Sequence, residues 1–220
     1  MPPRISPDQI PASPDLSLEI ALWDSGISYI AGIDEAGRGA LAGPVTTAAV
    51  ILPPDPTLVS SLVGVRDSKQ MTPRQRNLWV NRLQEISIAW SVGLASQFEI
   101  DRMGILPATR LAAIRALNTL PIQPNHILLD YLFLPDASQP QTSLIKGDAR
   151  SLSIAAASVF AKTIRDAILC ELDTRYPGYS FHLHKGYGTE KHLSALDVLG
   201  PSPAHRLSFH PVTEICKQQE

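Results

Sequence analysis

The chain has only two cysteines, Cys170 and Cys216, and they are not spaced as a metal-binding pair. That scarcity excludes a disulfide framework and points to a reducing, cytoplasmic setting. Long hydrophobic runs are also missing: no stretch approaches the roughly 20 apolar residues that a membrane helix needs. Arg4 near the N-terminus has no apolar segment behind it, so no secretory signal is expected. A dominant charge is lacking too. Nineteen Lys and Arg against 21 Asp and Glu leave a formal charge of −2, which by itself argues for no polyanionic partner. Internal repeats and interdomain linkers are absent.

What remains is an ordinary globular composition. Of 220 residues, 44% are hydrophobic and 18% charged, enough for one sizeable core and too apolar for a disordered chain. Residues 1–16, rich in Pro and Ser, read as a disordered leader, and residues 17–220 as a single domain. Charge is uneven along the chain. Between positions 65 and 82, Arg66, Lys69, Arg74, Arg76 and Arg82 face the single acid Asp67. Such a patch can hold phosphates on a neutral chain, although on charge alone a solvated helix face explains it as well.

Hydrophobic periodicity predicts strands at 29–33, 45–52, 88–95, 127–129 and 143–146. Helices are expected at 16–23, 72–85, 99–118, 151–175 and 190–199. Thr72 caps the second of these with Pro73 in its first turn, and Gly104 or Pro107 interrupts the third. In 151–175 the residues Ile154, Ala157, Ala161, Ile164, Ile168 and Leu172 recur at helical spacing. The run Ala155-Ala156-Ala157 would let that helix lie close to a sheet. Strands first, then strands alternating with helices, indicate an α/β fold with a mixed sheet.

Four acids fall at strand ends or strand–helix junctions: Asp34 and Glu35 after the first strand, Asp130 after the fourth, and Asp148 before the long helix. Singly, each has an ordinary structural explanation as a turn or capping residue. Together they suggest a site. Converging carboxylates repel one another without a cation, and hard oxygen ligands select Mg²⁺ or Mn²⁺. Two such ions about 4 Å apart suit phosphodiester hydrolysis. Gly37-Arg38-Gly39 is a turn whose backbone can approach a ligand closely, and telling RNA from DNA requires contact with the 2′-hydroxyl. The late histidines His182, His184, His192, His205 and His210 fit no standard zinc spacing, and they are expected to make surface and loop contacts.

The ordered motifs resemble one family, ribonuclease HII. Ala31-Gly32-Ile33-Asp34-Glu35-Ala36-Gly37-Arg38-Gly39, then Gly43-Pro44-Val45, is similar to its opening signature. Arg66-Asp67-Ser68-Lys69, Leu129-Asp130, Lys146-Gly147-Asp148 and the helix from Ser153 to Asp166 follow in the family's order. The loop His184-Lys185-Gly186-Tyr187-Gly188-Thr189, with His192, completes it. The likeness runs from about Leu18 to Val212. Tyr131 departs from it, standing where many members carry Gly. The resemblance implies a ribonuclease H-like fold, with a central five-stranded mixed sheet flanked by helices and a helical C-terminal part. It implies two divalent ions, Mg²⁺ or Mn²⁺, held by Asp34, Glu35, Asp130 and Asp148. Gly37, Arg38 and Gly39 would contact the ribonucleotide, Lys69 a backbone phosphate, and Tyr187 the sugar of the following deoxynucleotide. The implied substrates are RNA–DNA hybrids and ribonucleotide-containing duplex DNA, cut to 3′-hydroxyl and 5′-phosphate ends by a monomer. Another nuclease of the same fold and a catalytically dead binding module are the alternatives. The glycine turn with Tyr187 argues against the first, the presence of all four acids against the second. The C-terminal Lys217-Gln218-Gln219-Glu220 has no aromatic pair that would suit a sliding clamp.

Overall fold

The computed structural model describes residues 10–218. Most of the Pro- and Ser-rich leader and the last two residues of the tail lie outside that range. In chain order the elements are α1 (Ser17–Asp24), β1 (Ile30–Ala36), β2 (Val45–Ile51), the single turn α2 (Leu58–Ser61) and a 3-10 turn at Ser68–Gln70. Then come α3 (Pro73–Ile86), β3 (Ala89–Ala95), α4 (Gln97–Met103), α5 (Ile105–Thr119), β4 (His126–Asp130) and β5 (Gln141–Leu144). A second 3-10 turn at Gly147–Ala149 leads into α6 (Leu152–Arg175), followed by α7 (Phe181–His184), α8 (Glu190–Leu199) and α9 (Val212–Gln218).

The five strands form one sheet in the order β3-β2-β1-β4-β5. β1 and β2 pair antiparallel, as do β2 and β3, while β4 lies parallel to both β1 and β5. This is the expected mixed sheet. Alternation along the strands divides it into two faces. Ala31, Ile33, Ala49, Ile51, Ile127 and Leu129 meet α5 through Ala113, Ala116 and Leu117. Ala48, Val50 and Trp90 turn the other way onto α6, where Trp90 stacks on Phe160 with centroids 4.7 Å apart. The alanine run of α6 does what its composition suggested: all three residues are fully buried. Gly32 makes the close approach possible, because a Cβ there would sit 2.1 Å from the Ser153 carbonyl carbon.

Local signals set several boundaries. Thr72 and Gln75 form a reciprocal capping box with Pro73 in the first turn of α3. The expected break in 99–118 is at Gly104, whose φ is 84° and which separates α4 from α5. Pro107 falls in the first turn of α5, where its missing N–H leaves no bond unmade. Two expectations shift. β1 does not stop at Ile33 but runs through both acids to Ala36, because residues 31–36 stay paired with β2. After 175 the periodicity indicates only the helix at 190–199; α7 and α9 are added to it, in keeping with the helical C-terminal part that the resemblance implies.

The described end of the leader is tied to the fold. Asp15 bridges to Ser151, and Pro14 and Leu16 are buried. Just beyond, the buried Glu19 carboxylate accepts from Ser151 Oγ (2.6 Å), Ser153 Oγ (2.6 Å) and Ser153 N (3.0 Å), anchoring α1 to the start of α6.

Candidate active site

Strand geometry brings two of the four acids together. Ile33 on β1 is level with Leu129 on β4, so the next residues, Asp34 and Asp130, are neighbours on the face that meets α6. Asp148 returns to them through the turn after β5. Lys146 adopts a left-handed conformation (φ 53°) there, and Gly147 N donates to Asp130 Oδ1 at 2.7 Å. Asp148 does not cap α6. Ser151 does, accepting from Ile154 N at 3.2 Å, which leaves the Asp148 carboxylate free for the site. Glu35, one residue on from Asp34, accepts from Arg38 Nη1 at 3.1 Å through one oxygen. Its other oxygen, Oε2, is buried with no hydrogen-bond partner.

These groups feel each other's charge. Burial first, then Glu35, Asp130 and Asp148, raise the pKa of Asp34 well above the usual aspartate value, against a lowering by the Ser158 hydroxyl. Burial likewise raises Glu35, with Arg38 and Lys69 opposing. Asp130 is raised by burial despite its bond from Gly147. Burial and then Asp130 push Asp148 up to about 6. Lys69 is the counter-charge. Partial burial would lower its pKa, but Asp67, Asp34, Asp148 and Asp130 together hold it above the ordinary lysine value.

Two cavities open beside the acids. One, of about 850 Å³, is lined by Glu35, Gly37, Arg38, Gly39, Lys69, Lys162 and Tyr187. The other is lined by Asp67, Lys69, Tyr131, Asp130 and Asp148. Lys69 borders both, standing between Glu35 and the Asp130–Asp148 pair. Among the described residues no three acids, histidines or cysteines stand ready-made around one point as the side chains lie. The donor set nevertheless suits a hard divalent cation: four carboxylates whose charged forms are disfavoured by burial, and one buried oxygen with no partner.

The glycine turn has unequal members. Gly37 has φ 93°, and a Cβ on it would fall 1.8 Å from Arg165 Nε. Gly39 faces open space, so its missing side chain leaves room on the cavity side. Tyr187 borders the same cavity, its ring beneath Lys162 Nζ (5.6 Å) and Arg165 Cζ (5.4 Å). Tyr131 has φ 46°. That left-handed backbone accounts for glycine at this position in the resembled family, and it leaves Asp130 in place.

The basic run of 65–82 divides. Arg66, Lys69 and Arg74 stay exposed. Arg76 is buried, bonded to Asp166 Oδ2 at 2.8 Å and to the carbonyls of Ser68 and Met71. Arg82 lies over Trp79. The late histidines also depart from expectation, since His192 and His205 are core residues. His205 Nδ1 accepts from Ser202 N (2.9 Å), so its Nε2 donates to His192 Nε2 (3.0 Å). His192 Nδ1 then donates to the Tyr187 carbonyl (3.0 Å). The sequence reading gave Arg165, Arg206 and Ser158 no role. The only signal was that polar and cationic residues interrupt otherwise apolar helix faces.

A mixed sheet of this order, with acids at adjacent strand ends and a long helix packed across them, defines a nuclease of the ribonuclease H-like fold. The family model described as Ribonuclease HII matches residues 31–212. The chain belongs to the ribonuclease HII family and is an endoribonuclease. It is 50% identical over 205 residues to the ribonuclease HII of Chloroflexus aurantiacus, covering 91% of this chain and 95% of that one. It is 47% identical over 197 residues to that of Thermus thermophilus, covering 90% and 93%. Among solved structures it resembles the ribonuclease H2 of Pyrococcus horikoshii, with a TM-score of 0.70 and 27% identity over 86% of this chain and 98% of that one.

Proposed function

We propose that this endoribonuclease cuts the RNA strand of RNA–DNA hybrids and incises duplex DNA at embedded ribonucleotides, with Asp34, Glu35, Asp130 and Asp148 holding two divalent ions, Mg²⁺ or Mn²⁺. The observation that carries the reading is the set of four mutually repelling, largely buried carboxylates at one end of β1 and β4. Bound there, the cations would polarise the scissile phosphate, activate water and stabilise the leaving oxygen, giving 3′-hydroxyl and 5′-phosphate products. The chain's own residues do the rest. The carboxylates fix the site to rigid strands. Lys69 meets a backbone phosphate. The Gly37-Arg38-Gly39 turn offers main-chain groups to the 2′-hydroxyl across the space left open at Gly39, and Tyr187 supports the next sugar. Residues 17–220 act as one catalytic domain, monomeric and cytoplasmic. No described helix is long and apolar enough to cross a membrane.

The test is cleavage of an end-labelled duplex carrying one ribonucleotide beside its all-DNA counterpart, with and without added Mg²⁺ or Mn²⁺. Cleavage should occur only at the ribonucleotide and only with the metal. Asp34→Asn should lower the rate by at least about a thousandfold while keeping the wild-type circular dichroism. Wild-type activity in the purified variant removes Asp34 from the site.

A further inference from the structure

Two arginines next to the site are fully buried and have no carboxylate partner among the described residues. Burying an unpaired cation is costly, so its hydrogen bonds must compensate. Each guanidinium makes three, all to backbone carbonyls. Arg206 donates from Nε to Gly43 O (3.0 Å), from Nη1 to Arg38 O (2.9 Å) and from Nη2 to Gly37 O (2.8 Å). Arg165 donates from Nε to Pro44 O (3.0 Å), from Nη1 to Lys185 O (2.9 Å) and from Nη2 to Ala42 O (3.0 Å).

Three of these carbonyls, those of Gly37, Arg38 and Lys185, belong to the two segments proposed to read the substrate, the glycine turn and the loop that carries Tyr187; the other three, of Ala42, Gly43 and Pro44, lie in the connection from that turn to β2. The segments are also stitched together directly, Leu41 N to Gly186 O (2.7 Å) and Arg206 N to Leu41 O (2.8 Å). Burial chiefly, then the charge of Arg165, hold Arg206 down at about 9, so it remains cationic at neutral pH; burial lowers Arg165 too. In a trans peptide the N–H points opposite to the carbonyl, so holding the Gly37 and Arg38 carbonyls inward turns the Arg38 and Gly39 N–H groups outward, whereas Gly43 N–H is bonded to Ala204 O and Gly186 N–H to His184 Nδ1. Positive charge lies directly beneath, where a polyanion would sit.

We propose that Arg206 and Arg165 are positioning residues for ribonucleotide recognition: Arg206 holds the Gly37 and Arg38 carbonyls inward and so fixes the amide face of the glycine turn, Arg165 holds Lys185 O at the base of the Tyr187 loop, and neither touches the substrate. This rests on the reading of Gly37–Gly39 and Tyr187 given above. Lysine keeps the charge but cannot span three carbonyls in one plane.

The experiment measures KM and kcat of the full-length protein on a duplex carrying one ribonucleotide, with an all-DNA duplex of the same sequence as competitor. Arg206→Lys and Arg165→Lys, each with an unfolding temperature near wild type, should raise KM about tenfold or more and leave the competitor's inhibition constant unchanged. A purely structural role would lower kcat through a smaller active fraction and leave KM alone. Folded variants with wild-type KM overturn the inference. If the unmodified protein does not distinguish the two duplexes, the recognition reading fails and this inference falls with it. If the unmodified protein discriminates and the variants do so equally, only the inference about the arginines fails. Should the lysine variants not fold, the unmodified protein decides. The Arg206 Nε–H resonance should exchange slowly with solvent and shift on adding the ribonucleotide duplex but not the all-DNA one. Exchange as fast as that of an exposed arginine, or equal shifts with both duplexes, overturns the proposal.

Discussion

On the proposed reading of the glycine turn, two glycines two positions apart separate the demands of folding from those of binding. At Gly37 an added Cβ meets Arg165 and the backbone is left-handed, so Gly37→Ala should destabilise the protein by about 1–3 kcal/mol. Gly39 has free space around it, so Gly39→Ala should change stability by less than about 0.5 kcal/mol. Its effect should instead appear as a raised KM for the ribonucleotide duplex. Urea unfolding beside steady-state kinetics checks both, and equal effects in the two variants would contradict the division. Asp148 offers a second residue-scale test. Its pKa, about 6 and raised mainly by burial, means that it binds a proton more tightly folded than unfolded. Its contribution is therefore most favourable at low pH, and stability is lost as pH climbs from the ordinary aspartate range to about 6. Asp148→Asn removes that loss and should add about 1–3 kcal/mol at neutral pH without divalent ion, while cleavage disappears. An unfolding midpoint unchanged from wild type would show that Asp148 is not under this strain.

Among the elements, the pairing of β1 with α6 controls the site. Gly32 lets the helix lie against the strand that carries Asp34 and Glu35, and the backbone of Ser153 occupies the space of any Cβ. Gly32→Ala must push α6 outward or bend β1. The expected cost is about 3 kcal/mol or more, with loss of activity even where the fold survives, because Ser158 on α6 would move away from Asp34. A thermal melt and a cleavage assay measure the two effects. The helices themselves were largely legible in the sequence: the Thr72-Pro73 cap, the Gly104 break, and α8 all follow from local chemistry. Strand β1 was not bounded correctly. Its extension through the acids depends on hydrogen bonds from β2, and no local residue signals them. The short α7 and α9 were missed for a related reason, since packing of Phe181 and Val212 in the C-terminal cluster supports them.

Across the whole molecule, the C-terminal segment folds back to hold the site's loops, and buried histidines make that closure dependent on pH. His192 and His205 are each lowered to about 4, chiefly by burial, and in the folded protein they are neutral. Unfolding restores the ordinary value near 6.5, so their stabilisation is complete above that pH and is lost as pH falls towards 4. His205→Gln should flatten the difference in unfolding free energy across this window by about 1–3 kcal/mol relative to wild type. Parallel pH profiles for the two proteins would rule the pair out as its source. The sequence by itself determined the class of fold, most element positions, and which acids, glycines and aromatic side chain to watch, because capping, periodicity and motif order are local properties. Only the tertiary structure decided that Asp34 and Asp130 are level on adjacent strands, that Arg76 turns inward, and that Arg165 and Arg206 lie unpaired beneath the loops. Those facts depend on register and burial between segments distant in the chain, and the side-chain sequence at either end specifies neither alone.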